Sequence, residues 1–140
     1  MDFGMIGPAL ALGLSAIGAS IGCGIAGIAS HAVMSRVDEG HAKLVGLSAV
    51  PASQMIYGFV LMLLLSQSVK AGGVSQLSAV GIGGCSGAAI MVAAIFQGKA
   101  CVSAILATAK KPSVFGKTFV AIGIVESFAL FAFVFALLLM

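Results

Sequence analysis

Four long apolar segments, separated by short polar connections, make up almost the whole chain of 140 residues. They cover residues 5–34, 44–69, 73–109 and 118–140. Each is longer than the ~20 residues that an α-helix needs to cross a bilayer. A helix satisfies its own backbone hydrogen bonds in lipid, whereas an open strand cannot. The pattern therefore predicts an all-α membrane protein with four transmembrane helices, the third long enough to project beyond the membrane.

The composition supports a membrane protein and limits what its charges can mean. The chain is 61% hydrophobic and only 8% charged, with a mean hydropathy of +1.22, whereas soluble domains carry roughly 25% charged residues. The net charge of +3 is therefore interpreted as a set of topology markers, and no nucleic-acid partner is expected. The three cysteines lie in apolar segments and have neither a metal-site spacing nor a disulfide pattern.

Most of the cations lie in two of the connections, residues 35–43 and 110–117. The positive-inside rule places both connections in the cytoplasm and both termini outside. Pro112 is typical of a first helical turn, so the fourth helix is predicted to begin near Ser113. We expect an integral, multi-pass membrane protein, located in the plasma membrane if the source is prokaryotic.

The chain contains an internal repeat. A shift of 72 residues places Gln54 on Glu126 and Phe59 on Phe131. We predict two parallel helical hairpins, residues 1–70 and 71–140, the first degenerate because Gln54 replaces the acid. The first and third helices are rich in small residues and the second and fourth are bulky, which favours a ring of many copies with the narrow helices inside.

Glu126 is the only charge in the last apolar segment. An ionised carboxylate in lipid is costly, so such a residue is a functional candidate; alternatively it stays protonated and has only a structural role. Gln97 and Glu126 are equidistant from the Lys111–Pro112 junction, so they should face each other in an antiparallel hairpin. Lys99 lies off the face of Gln97, should extend towards the cytoplasm, and is assigned no role.

The second helix contributes further oxygen donors on one helical face. These are the carbonyl of Val50 and the side chains of Ser53, Gln54 and Tyr57, at i, i+3, i+4 and i+7. Pro51 removes a helical hydrogen bond and loosens this turn. Oxygen donors alone suit a hard cation, although a polar cluster that only fastens helices together is the alternative.

These residues resemble the proteolipid (K or c) subunit of V-type and A-type rotary ATPases. The resemblance is carried by Val50-Pro51-Ala52-Ser53-Gln54, Tyr57-Gly58-Phe59, Phe96-Gln97-Gly98-Lys99 and Val125-Glu126-Ser127. It implies a ring of identical copies that turns against a stator membrane subunit with a basic residue. It also implies central-stalk subunits at the cytoplasmic loops, no covalent cofactor, and no catalytic residue, since the nucleotide chemistry belongs to other subunits.

The resemblance further implies the transported ion and its ligands. In sodium-binding members the matching positions are Glu126, Gln97, Gln54, Ser53 and Val50, with Tyr57 orienting the carboxylate. Val50 and Ser53 depart from the familiar Leu and Thr, but both keep the needed oxygen. Three alternatives stay open: a proton-translocating ring without Na⁺ binding, a small Glu-dependent secondary transporter, and a structural pore or membrane-fusion ring.

Overall fold

In a computed structural model, which describes residues 3–140, all the regular secondary structure of these residues is helical. The helices are α1 (Ile6–Met34), α2 (His41–Ala49), α3 (Ser53–Lys70), α4 (Gln76–Lys110) and α5 (Phe115–Leu138). Single 3₁₀ turns at Val50–Ala52 and Pro112–Val114 precede α3 and α5. With these turns the chain forms four rods, each long and apolar enough to cross a membrane. The predicted all-α class and the four membrane helices are confirmed.

The second and third rods begin at positions that the apolar pattern placed wrongly. The second begins at His41, three residues before the predicted start, because Gly40 takes a left-handed conformation (φ 81°) that begins the helix. The third begins at Gln76 instead of residue 73. Gly72, also left-handed (φ 77°), ends α3, and the Ser75 hydroxyl caps α4 by accepting the Ser78 amide at 3.1 Å.

Two of the three prolines, Pro51 and Pro112, act as the sequence predicts. Pro51 has no amide hydrogen, and the Val50–Ala52 segment around it is a 3₁₀ turn between α2 and α3. Pro112 opens the other 3₁₀ turn, one residue before the predicted start at Ser113, and α5 follows from Phe115.

Close contact between α1 and α4 holds the two hairpins together. A Cβ atom on Gly7 would collide with the backbone of Ala79, and one on Gly22 with the backbone of Ala94. Each pair is separated by 72 residues, the same offset that relates Gln54 to Glu126. The two helices are therefore parallel and in register, and small residues allow their backbones to touch.

The interior is made of small clusters, and the outer faces are strongly apolar. One buried cluster includes Ala26, Leu47, Cys101 and Ile122, close to one end of the bundle. Large side chains on the outside include Phe128, Phe131, Phe135 and Leu138. At ~1.5 Å per residue, the 35 residues of α4 reach about 52 Å, well beyond a hydrocarbon core of ~30 Å.

Candidate functional site

The carboxylate of Glu126 lies half-buried in the middle of α5. Its Oε1 accepts a hydrogen bond from the Tyr57 hydroxyl of α3 at 3.0 Å. Its Oε2 accepts one from the Gln97 Nε2 of α4 at 3.1 Å. Three helices therefore meet at this one acid. The contact with Gln97 agrees with the equal distances of the two residues from the Lys111–Pro112 junction.

The amide of Gln97 connects Glu126 to the first hairpin. Its Oε1 accepts a hydrogen bond from Gln54 Nε2 at 3.0 Å, and its Nε2 also lies 3.5 Å from the Ile122 carbonyl. Both glutamines are fully buried. An ionised carboxylate can only accept, so the NH₂ group of Gln97 must face it. This fixes the direction of the chain of hydrogen bonds from Gln54 through Gln97 to Glu126.

One side-chain oxygen of this network accepts no hydrogen bond from the described residues. Gln54 Oε1 is buried and has no hydrogen-bond partner within residues 3–140. A buried acceptor without a partner costs free energy of about 1–3 kcal/mol. The oxygen can therefore serve as a ligand for a cation or as an acceptor for a bound water, which fits an ion site better than a closed fastening cluster.

Val50 and Ser53 lie beside Gln54 but bond to each other. The Ser53 hydroxyl donates to the Val50 carbonyl at 3.0 Å, across the 3₁₀ turn at Pro51. In the part of the chain that the structure describes, neither group bonds to Glu126. The structure thus joins Gln54, Tyr57, Gln97 and Glu126 in one network, with Ser53 and Val50 as a separate pair next to it.

Packing around Tyr57 holds its hydroxyl towards Glu126. Its ring stacks on Phe133 with centroids 5.9 Å apart, and it packs against the cluster of Ile90, Ala93 and Ala129. Phe133 and the Ile122 carbonyl were not among the predicted site residues. Both could have been found, because Ile122 is one turn before Glu126 on α5 and Phe133 is two turns after it.

Lys99 does not extend in the direction that the sequence predicted. Its ammonium lies 4.9 Å from the centroid of Phe96, one turn nearer the start of α4 and away from the Lys110 end. The physical reason is that helical side chains tilt towards the N-terminus, where the ring attracts the cation. Lys99 is exposed while Gln97 is buried, so the two lie on different faces, as predicted.

The comparisons with known proteins agree with the two-hairpin architecture. Residues 6–65 and 80–139 each match the family model that describes the C subunit of ATP synthase. The A-type ATP synthase subunit K of Methanocaldococcus jannaschii is 35% identical over 138 residues, 97% of this chain and 62% of that protein. The chain therefore spans less than two thirds of that relative.

A second relative is similar in length. The V-type sodium ATPase subunit K of Enterococcus hirae is 31% identical over 145 residues, which cover 99% of this chain and 90% of that protein. Both relatives are named as subunits of larger complexes, in agreement with the expectation that the chain is a subunit and not an enzyme by itself. The resemblance to a duplicated proteolipid is confirmed.

Proposed function

Because the chain belongs to the family of ATP synthase C subunits, we propose that it is a rotor-ring subunit of a V/A-type ATPase and that Glu126 carries Na⁺, or alternatively H⁺, across the membrane. The observation that carries the proposal is the hydrogen-bonded carboxylate itself. Glu126 lies in the middle of a membrane helix, and side chains from two other helices hold both of its oxygens.

The mechanism follows from the cost of a bare charge in lipid. While Glu126 faces lipid, a bound cation must neutralise it. At the stator, a fixed positive group replaces the cation, which leaves through one half-channel while another enters from the opposite side. Tyr57 and Gln97 hold the carboxylate in one position, so that the exchange does not require the acid to be repositioned each time.

The oxygens around Glu126 favour Na⁺ over H⁺. A proton needs one carboxylate oxygen, whereas Na⁺ must replace several water ligands with protein oxygens. Gln54 Oε1 is free, and Gln97 Oε1 accepts only one bond and has a second lone pair. The Val50 carbonyl and Ser53 hydroxyl are adjacent. The sodium ATPase named among the relatives adds support.

The same proposal includes the partners. Identical copies form the ring, a stator membrane subunit supplies a basic residue, and central-stalk subunits bind the connections at residues 35–43 and 110–117. These connections face the cytoplasm, and the complex lies in the plasma membrane if the source is prokaryotic. ATP hydrolysis or synthesis takes place on other subunits.

Modification by a carbodiimide tests whether the transported ion is Na⁺ or H⁺. The reagent modifies a protonated carboxyl group, so Na⁺ bound at Glu126 should slow the modification at constant pH. Removing single ligands, as in Gln97→Ala or Ser53→Ala, should raise the Na⁺ concentration needed for protection by about tenfold, the effect of losing ~1.4 kcal/mol of binding. Ser127→Ala is the matched control, because the Ser127 hydroxyl donates to Ile124, within its own helix.

If the modification depends on pH alone and Na⁺ gives no protection, the ring carries protons. The two glutamines then only fix the position of the acid. If Glu126 is not modified under any condition while ions are still transported, the carrier is a different group.

A further inference from the structure

A small cavity lies at one end of the helical bundle. At this end the connections 35–43 and 110–117, which hold most of the cations, come together. The cavity has a volume of about 160 Å³ and is lined by the α1–α2 connection, the first turn of α2, the last turn of α4 and Pro112. We call it the cytoplasmic notch, after the predicted topology. Leu44 and Ala109 form apolar parts of its wall, whereas Lys43, Glu39 and Thr108 contribute polar groups.

The hydroxyl of Thr108 is a hydrogen-bonding group beside the notch. The Thr108 side chain is 4% exposed, and its Oγ1 is buried without a partner within residues 3–140. A threonine inside a helix commonly donates to the carbonyl one turn earlier, and buried hydroxyls are usually paired. The unpaired hydroxyl beside a cavity therefore indicates a ligand from outside the chain.

The charge around the notch indicates that this ligand is an anion. Lys43 is held at the rim, its ammonium 5.5 Å from the Phe115 centroid. Gly40 offers no side-chain acceptor to the first amides of the helix at His41, and the positive end of a helix attracts anions. The two connections contain five of the seven Lys and Arg residues and two acidic residues, Asp38 and Glu39. Together the connections therefore have a formal charge of +3.

We propose that the notch binds one acidic side chain, a glutamate or aspartate, of the central-stalk subunit that docks on the ring. The apolar wall fits the methylene stem of such a side chain, and Lys43 and Thr108 bind its carboxylate. A volume equal to that of about five water molecules accommodates one side chain and not a helix. The proposal rests on the proposed function, since it requires a stalk at this end.

Removing a positive charge and removing a negative charge from the notch should change the binding of the stalk in opposite directions. Membranes that carry the whole complex are washed at rising ionic strength, and the ATPase activity that stays bound is measured. Lys43→Gln and Thr108→Val should each release the soluble part of the complex at lower salt, with about tenfold weaker binding. Glu39→Gln should have the opposite effect, because it removes a negative charge beside the bound carboxylate.

Matched controls separate the notch from general effects of charge and fold. Lys117→Gln removes a cation that lies at the same end of the molecule but outside the notch. Thr118→Val replaces a threonine whose hydroxyl donates to the Phe115 carbonyl. Both variants should keep the wild-type salt dependence. Ring assembly and carbodiimide labelling of Glu126 should be unchanged in all variants. The proposed function itself fails if the wild-type protein forms no ring or if its Glu126 is not labelled under any condition, and the wild-type control shows this separately.

Two results would overturn the inference. If Lys43→Gln strengthens and Glu39→Gln weakens retention, the bound group is basic. If retention does not change, the notch does not bind a stalk residue; a parallel loss of the anionic phospholipid that co-purifies with the ring would show that it binds a lipid phosphate instead.

Discussion

Glu126 is the proposed ion carrier, and its neighbours determine its orientation. Tyr57 and Gln97 each donate to one oxygen, which fixes the orientation of the acid, and no cation pairs with it within residues 3–140. Lys99 is the nearest cation along the chain to Gln97, but its ammonium lies over Phe96, on an exposed face. A cation that neutralises an ionised Glu126 would therefore come from outside the subunit, in agreement with the proposed role.

We expect Glu126→Gln to abolish ion transport and coupled ATP hydrolysis while the ring still assembles. Glutamine has nearly the same shape and can still accept from Tyr57, but it cannot exchange a charge. Ion uptake by reconstituted complexes and ATP hydrolysis measure the effect, and native mass spectrometry checks assembly. Transport retained in the variant would show that another group carries the ion.

At the scale of the helices, the α1–α4 contact determines where the site is formed. Because the two glycine-rich helices touch through their backbones, α3 and α5 come to lie beside the same stretch of α4. Gly22 contacts α4 at Ala94 and Gly98, next to Gln97. The packing of small residues thus places Gln97 between Gln54 and Glu126, although none of the glycines belongs to the site.

Gly83→Ala tests this contact away from the site. A Cβ at this position would collide with the carbonyl of Gly7, so the two helices must separate, and overpacking of this kind costs about 1–3 kcal/mol. Gly81→Ala, two residues earlier on α4, meets no atom within 4 Å and should be neutral or stabilising, because alanine favours helices. Thermal unfolding of the purified protein compares them; equal melting temperatures would contradict the close approach.

For the molecule as a whole, the outer surface and the distribution of charge determine how it sits in the membrane. Large apolar side chains, among them Ile28, Phe96, Phe128 and Leu138, are exposed on the helices. Exposing such a surface to water is unfavourable, whereas contact with lipid or with further copies of the chain is favourable. Five of the seven Lys and Arg residues lie in the connections at one end, residues 35–43 and 110–117, and from them the orientation is predicted.

This orientation predicts which side of the membrane Ser113 faces. In a variant with Cys23, Cys85 and Cys101 replaced by alanine, Ser113→Cys should react with a membrane-impermeant maleimide only from the cytoplasmic side. Ser113 is exposed in the turn between α4 and α5. Ala71→Cys, exposed in the opposite turn, should react only from the outside. The reverse pattern of labelling would invert the topology.

The class of protein, the four membrane spans and the candidate site residues can all be predicted from the amino-acid sequence. Lipid requires long apolar helices, so the hydrophobic pattern is nearly sufficient for the spans. Glu126 stands out because a charge in such a segment is costly. The pairing with Gln97 follows from counting along an antiparallel hairpin. Helix ends were predicted less well, since Gly40 and Gly72 stop or begin helices through left-handed conformations that hydropathy does not register.

The hydrogen bonds among the polar groups, in contrast, depend on how the helices pack against one another. Spacing put Val50, Ser53, Gln54 and Tyr57 on one face, but it could not show that Ser53 bonds to Val50 while Tyr57 reaches Glu126. These choices depend on how closely the helices approach and on the rotation of each one, which packing across helices sets. The free oxygen of Gln54, the hydroxyl of Thr108 beside its cavity and the reversed direction of Lys99 have the same origin.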